Sequence, residues 1–118
     1  MKNQRFYLIH IAQCIEKIEQ YTQTGRLVFL TDTKTQDAVI RNFEIIGEAI
    51  KRWSDETRQH AIEFPWKRWA GFRDILIHQY DGIDPVEVWL TIEKDLPNLK
   101  QTITVLLSTS PKQEDNFE

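Results

Sequence analysis

An all-α fold is predicted for this chain by two observations. Apolar residues recur at three- and four-residue steps along four long segments. Gly and Pro number only four each in 118 residues, too few for the many turns of an all-β architecture. Short connections between the segments make the expected architecture an up-and-down bundle of four main helices. The length fits one domain, placed at residues 1–110 with a polar, frayed tail at 111–118.

The first helix is expected from about Asn3 to Thr24, where Leu8, Ile11, Ile15, Ile18 and Thr22 share a stripe with Ala12 beside it. Gly25 suits its stop. The stretch RLVFLTD reads as a short connection with one helical turn. The second helix, about Asp32 to Trp53, carries Val39, Phe43, Ile46, Ala49, Ile50 and Trp53, with Asn42 among them as a satisfied polar residue of the core or a cleft-lining one. Gly47 inside it would cost about 1 kcal/mol against alanine, so its expected role is to let another helix approach closely. Glu48 and Arg52 form a local i,i+4 pair.

Ser54-Asp55-Glu56 opens a short turn or helix that ends before Pro65. Pro65 suits the first position of a third helix running to Tyr80. In that helix Trp66, Trp69, Phe72, Leu76 and Gln79 share a face, with Ile75 and Ile77 nearby. Core or interface packing is the commoner role for Trp66 and Trp69, and base stacking the other. Asp81-Gly82 breaks the helix. Asp84 then caps and Pro85 starts a fourth helix bearing Val88, Ile92, Leu96, Leu99, Ile103 and Leu106 or Leu107. Pro97 must kink or split it, with Asp95 recapping the second half.

Net charge is -3, so there is no whole-chain basic footprint for nucleic acid. Any such contact needs a local patch, for which Lys51, Arg52, Arg58, Lys67 and Arg68 are candidates, though a solvated face is the commoner role. A single cysteine, Cys14, excludes an internal disulfide and a cysteine-based zinc site, and reads as a buried, inert thiol. His10 and His60 lack metal-ligand spacing, so no metal and no cofactor are expected. No apolar run approaches the roughly 18 residues of a membrane span, and the N-terminus lacks a signal-peptide pattern. The expected setting is the cytoplasm.

Chemistry concentrates in RDILIHQY, residues 73–80. On an ideal helix Arg73 and Tyr80 differ by roughly 20° in direction and 10 Å in height, while His78 lies roughly 140° around the axis from Arg73. The three therefore need a helix that bends or ends near Gln79, or a second copy of the chain in a symmetric dimer. Histidine moves protons near neutral pH, arginine grips a phosphate with a fixed fork, and tyrosine can hydrogen-bond, stack or accept a covalent group. This is a kit for metal-free cleavage of RNA, with arginine holding charge on the phosphorane. One histidine per chain is short for an acid and a base, and two chains would bring two. On spacing alone the plainer reading is commoner: Arg73 and Asp74 as solvated charges, His78 as a cap or core residue, Tyr80 as a helix-end aromatic.

At these residues the sequence resembles the HepT-like toxins of the HEPN superfamily. RDILIHQY matches their R-x4-H-x-Y motif at every position. Residues 32–49, DTKTQDAVIRNFEIIGEA, the run from Phe64-Pro65-Trp66 through Ala70-Gly71-Phe72-Arg73-Asp74, and Val88 to Pro97 are also similar to the family. The resemblance spans about residues 5–107. It implies an all-α bundle that forms a homodimer, and a metal-independent RNA endonuclease with Arg73 and His78 as the catalytic pair at the dimer cleft. Asp74 is implied as a supporting polar residue. It further implies a type VII toxin–antitoxin system, in which an MntA-like minimal nucleotidyltransferase antitoxin transfers AMP to Tyr80. The alternative is a non-catalytic HEPN module that pairs with a nucleotidyltransferase and binds nucleotide or partner.

Overall fold

In a computed structural model the described residues are 4–109, and all their regular structure is helical. The helices are α1 Gln4–Tyr21, α2 Arg26–Thr31, α3 Thr33–Lys51, α4 Asp55–Gln59, α5 Trp66–His78, α6 Pro85–Lys94 and α7 Leu96–Thr109, with a 3₁₀ turn at Tyr80–Gly82. Asn3 and the expected tail at 111–118 lie outside the described residues. No described helix is long and apolar enough to cross a membrane.

Helix α3 lies between α1 and α5, and α1 packs in turn on α7. The stripes read from the sequence meet there. Leu8, Ile11, Ile15 and Ile18 of α1, Val39, Phe43, Ile46 and Ile50 of α3, and Leu99 and Ile103 of α7 are all buried. Each such side chain contributes about 1.5–3 kcal/mol through removal from water. Asn42 is buried among them, and its Nδ2 donates to the Ala38 carbonyl at 2.9 Å. Cys14 is buried as well, and burial pushes its thiol pKa up.

Polar side chains fix the helix starts, Asp84 among them as expected. Asp32 accepts from Lys34 N at 3.1 Å and from the Thr35 hydroxyl at 2.7 Å, which holds its carboxyl below the usual range. Asp84 accepts from Val86 N at 2.9 Å, with Pro85 at the helix start. Gln4 Oε1 accepts from Ser54 N at 2.8 Å and the Thr57 hydroxyl at 3.1 Å, tying the start of α1 to the α3–α4 corner.

Three expectations are corrected. The RLVFLTD stretch is a six-residue helix, α2, entered from Gly25 at φ 94, a backbone region that favours glycine. Its Phe29 is buried with its ring 5.4 Å from that of Trp89, so apolar burial rather than length justifies the helix. Pro65 caps α5 rather than opening it. Helix α5 ends at His78, two residues before Tyr80: its last bond is Gln79 N to Ile75 O at 2.9 Å, and Gly82 N then bonds Gln79 O at 2.8 Å to close the 3₁₀ turn. Gln79 is consequently exposed instead of sharing the core face, as are Ile75 and Ile77. Of the two outcomes expected at Pro97, the fourth helix is split, because a proline lacks the N–H for the next helical bond and crowds the carbonyl four residues back. The break falls at Asp95, whose carboxylate accepts from Arg68 Nη2 at 2.8 Å on α5.

Candidate active site at the end of helix α5

Gly47 makes the expected close crossing. A Cβ placed there would overlap the Cβ and Cγ of Arg73 and come within 3.2 Å of the Trp69 carbonyl. The stem of Arg73 therefore lies directly on the backbone of α3, and its side chain keeps only 24% of its exposure. From there its guanidinium meets two carboxylates. Nη2 lies 3.0 Å from Glu48 Oε1, and Nη1 donates to Asp74 Oδ1 at 2.9 Å. Its Nε is buried and makes no hydrogen bond among the described residues.

The pairing extends outward. Glu48 Oε2 takes Arg52 Nη2 at 3.2 Å, and Lys51 Nζ lies 3.5 Å from Asp74 Oδ1. Three cations thus alternate with two carboxylates, leaving a local excess of one positive charge. The Arg73 hydrogen bond, helped by Lys51, holds the Asp74 carboxyl below the usual carboxylate range.

His78 is exposed on the last residue of α5. Arg73 and Ile77 line a cleft of about 340 Å³ together with Phe6, Tyr7 and His10 of α1 and Arg41 of α3; His78 does not. Within one chain the arginine lines this cleft and the histidine does not, in keeping with their five-residue spacing. Tyr80 heads the 3₁₀ turn just beyond Gln79, where the backbone leaves helical geometry at φ -127, ψ 33.

The other candidates divide. Trp69 is a core residue, buried beside Phe43, Phe64 and Phe72. Trp66 is half-buried at the start of α5, with the Arg58 guanidinium 3.8 Å above its ring. Arg52 and Arg68 are paired with Glu48 and Asp95. His60 Nδ1 lies 2.9 Å from the Glu56 carbonyl, and the His10 ring sits 6.0 Å from that of Phe6. Among the described residues no three His, Cys, Asp or Glu side chains group as a metal site. Sequence reasoning missed Glu48 as the partner of Arg73. The signal available was Gly47 beside it, which marks where a second helix touches α3.

The family model described as ribonuclease HepT-like matches residues 11–106. The chain belongs to the ribonuclease HepT-like family. It is 44% identical over 100 residues to a Thermococcus cleftensis protein named "Probable ribonuclease HepT", covering 84% of this chain and 91% of that one. A Caldanaerobacter subterraneus subsp. tengcongensis protein named "Putative RNase" is 40% identical over 108 residues, 91% of this chain and 96% of the relative. A Methanocaldococcus jannaschii protein named "Gamma-glutamylcyclotransferase and putative RNase" is 43% identical over 116 residues. That alignment takes in 98% of this chain, which spans about half of the relative, 52%. No solved structure matches the chain.

Proposed function

We propose that the chain is the RNA endonuclease toxin of a toxin–antitoxin pair, acting as a homodimer and silenced by AMP on Tyr80. The observation that supports it most is the placement of an intact R-x4-H-x-Y motif, in a family of ribonuclease relatives, where α5 ends. Arg73 is anchored on α3, His78 stands exposed at the helix terminus, and the chain turns at Gln79 to carry Tyr80.

In this reading Arg73 binds the scissile phosphate and holds charge on the phosphorane. His78 of one copy takes the proton from the 2'-hydroxyl, whose oxygen attacks phosphorus. As the phosphorus–5'-oxygen bond breaks, the leaving oxygen takes a proton from His78 of the second copy. The products are a cyclic phosphate and a 5'-hydroxyl. Two copies are needed because one chain offers one histidine at this place, on the far side of α5 from Arg73. Asp74 is the supporting polar residue, orienting Arg73. An MntA-like minimal nucleotidyltransferase would transfer AMP from ATP to the Tyr80 oxygen, which loses its proton as pyrophosphate leaves, placing a negative phosphodiester where RNA phosphate must sit.

The double carboxylate hold on Arg73 favours a second reading, a non-catalytic module that pairs with a nucleotidyltransferase. Intact mass with and without that enzyme, followed by incubation with total RNA, separates them. An AMP-sized increment on the Tyr80 peptide, with cutting only by the unmodified form and lost in His78→Ala, is expected. Absence of both increment and cutting leaves the binding module.

A further inference from the structure

Trp66, Ala70, Asp74 and His78 follow one another at four-residue steps, so they form one ridge along α5 about 18 Å long. Cations gather on this ridge although the chain is acidic overall. Lys51 Nζ reaches it at Asp74, 3.5 Å away. Arg58 reaches it at Trp66, its Cζ 3.8 Å from the ring centroid, and Lys67 Nζ lies 5.7 Å from the same ring. Arg58 is also tied back, donating from Nη2 to the Lys51 carbonyl at 3.3 Å, while the Asp55 carboxylate, 96% exposed, lies farther off, 3.8 Å from Nη1. The guanidinium thus sits over the indole within contact distance, with 26% of the Arg58 side chain still open. Arg52 and Arg68 are held closer to their carboxylates, at 3.2 Å from Glu48 and 2.8 Å from Asp95, than Lys51 is to Asp74.

We propose that this ridge seats the RNA strand on one side of the scissile phosphate, an inference that rests on the nuclease reading above. Lys51 and Lys67 take backbone phosphates, and the Arg58–Trp66 stack offers its outer face to one base. A stacking platform needs an unpaired base, so the substrate class is single-stranded RNA or a loop. Both kinds of contact tolerate any sequence, since every nucleotide has a phosphate and a π-face. A protein partner with an acidic surface would match the cations but gives no role to a guanidinium placed over an indole, so the observations favour RNA.

The test is fluorescence anisotropy of the full chain with a labelled mixed-sequence oligonucleotide carrying 2'-O-methyl groups, which has no 2'-hydroxyl to attack. Removing two phosphate contacts in the Lys51→Gln/Lys67→Gln double variant is expected to make the log–log salt slope shallower by about 1.4. Arg58→Lys keeps the charge but loses the plane, so affinity should fall at least about fivefold with the slope unchanged. Lys100→Gln, a remote cation paired with Glu19 at 2.8 Å, should change neither. Thermal melts of each variant establish that it is folded. A double variant with the wild-type slope, or an Arg58→Lys variant with wild-type affinity, overturns the proposal. So does loss of nucleotidyltransferase capture with probe binding intact, which would make the ridge a protein interface. Cutting of total RNA by wild type reads the nuclease proposal separately. Wild type that cuts while the variants bind normally sinks only the ridge; wild type that binds with the expected losses but never cuts sinks only the nuclease.

Discussion

Glu48 Oε1 on α3 lies 3.0 Å from Arg73 Nη2 on α5, and this cross-helix pair determines where the motif arginine points. Its second oxygen holds Arg52 at 3.2 Å, so one carboxylate serves two guanidinium groups. Such a group has opposite effects on binding and on rate. Its charge competes with RNA phosphate for Arg73, yet its hold keeps Arg73 in place. Glu48→Gln, which retains the shape and removes the charge, should bind non-cleavable RNA more tightly than wild type. Its single-turnover cleavage should be slower by roughly ten- to a hundredfold, the usual effect of a misplaced catalytic group. Equal changes in both constants would mean Glu48 has no positioning role.

Two glycines separate close approach from helix propensity. At Gly47 a Cβ would overlap Arg73, whereas at Gly71 nothing lies within 4 Å. Gly47→Ala should therefore destabilise by about 1–3 kcal/mol through overpacking, lowering Tm by several degrees. Gly71→Ala, at an open helical position, should stabilise by about 0.4–1 kcal/mol. Paired thermal melts check both signs.

How much of this was legible in the sequence follows from which interactions are local. The stripes of α1 and α3, the Asp84–Pro85 start and the close approach at Gly47 were all readable, because spacing, capping and a small residue carry them. Helix α2 was not, since six residues are too few to show a period and its stability comes from Phe29 packing on Trp89. The motif was readable as a string, and so was its failure to converge on one helix face. Its tertiary setting was not. Glu48 looks complete as the i,i+4 partner of Arg52, and Gly47 beside it marks a helix crossing without naming Arg73 as the group its other oxygen reaches.

Asp74 gives the site a pH dependence of definite sign. Its carboxyl is held below the ordinary value of 3.8, first by the hydrogen bond from Arg73 and then by Lys51. A group with a depressed folded pKa adds stability that is fully present above the unfolded value and lost as pH falls through the folded one. Asp74→Asn should thus be less stable than wild type at neutral pH, and the two should converge in acid below pH 3.8. The side chain is 48% exposed, so the difference will be small. Melts across pH read it, and a gap that widens toward acid would contradict the assignment.

Arg73 and His78 should respond to substitution in different ways because one is embedded and the other stands clear. His78 is exposed at a helix end, so His78→Ala should leave stability within about 0.5 kcal/mol of wild type. Cutting should nevertheless fall by about 10²–10⁴-fold as the proton-transfer group is lost. Arg73→Lys keeps the charge but cannot span Glu48 and Asp74 at once, since an ammonium lacks the planar fork. It should lose both activity and some stability. Mixing wild-type and His78→Ala chains then tests the two-copy site. If one cut uses His78 of both copies, the mixed dimer is as inactive as the His78→Ala homodimer, and cutting falls as the square of the wild-type fraction. If each chain works alone, cutting falls in proportion to that fraction.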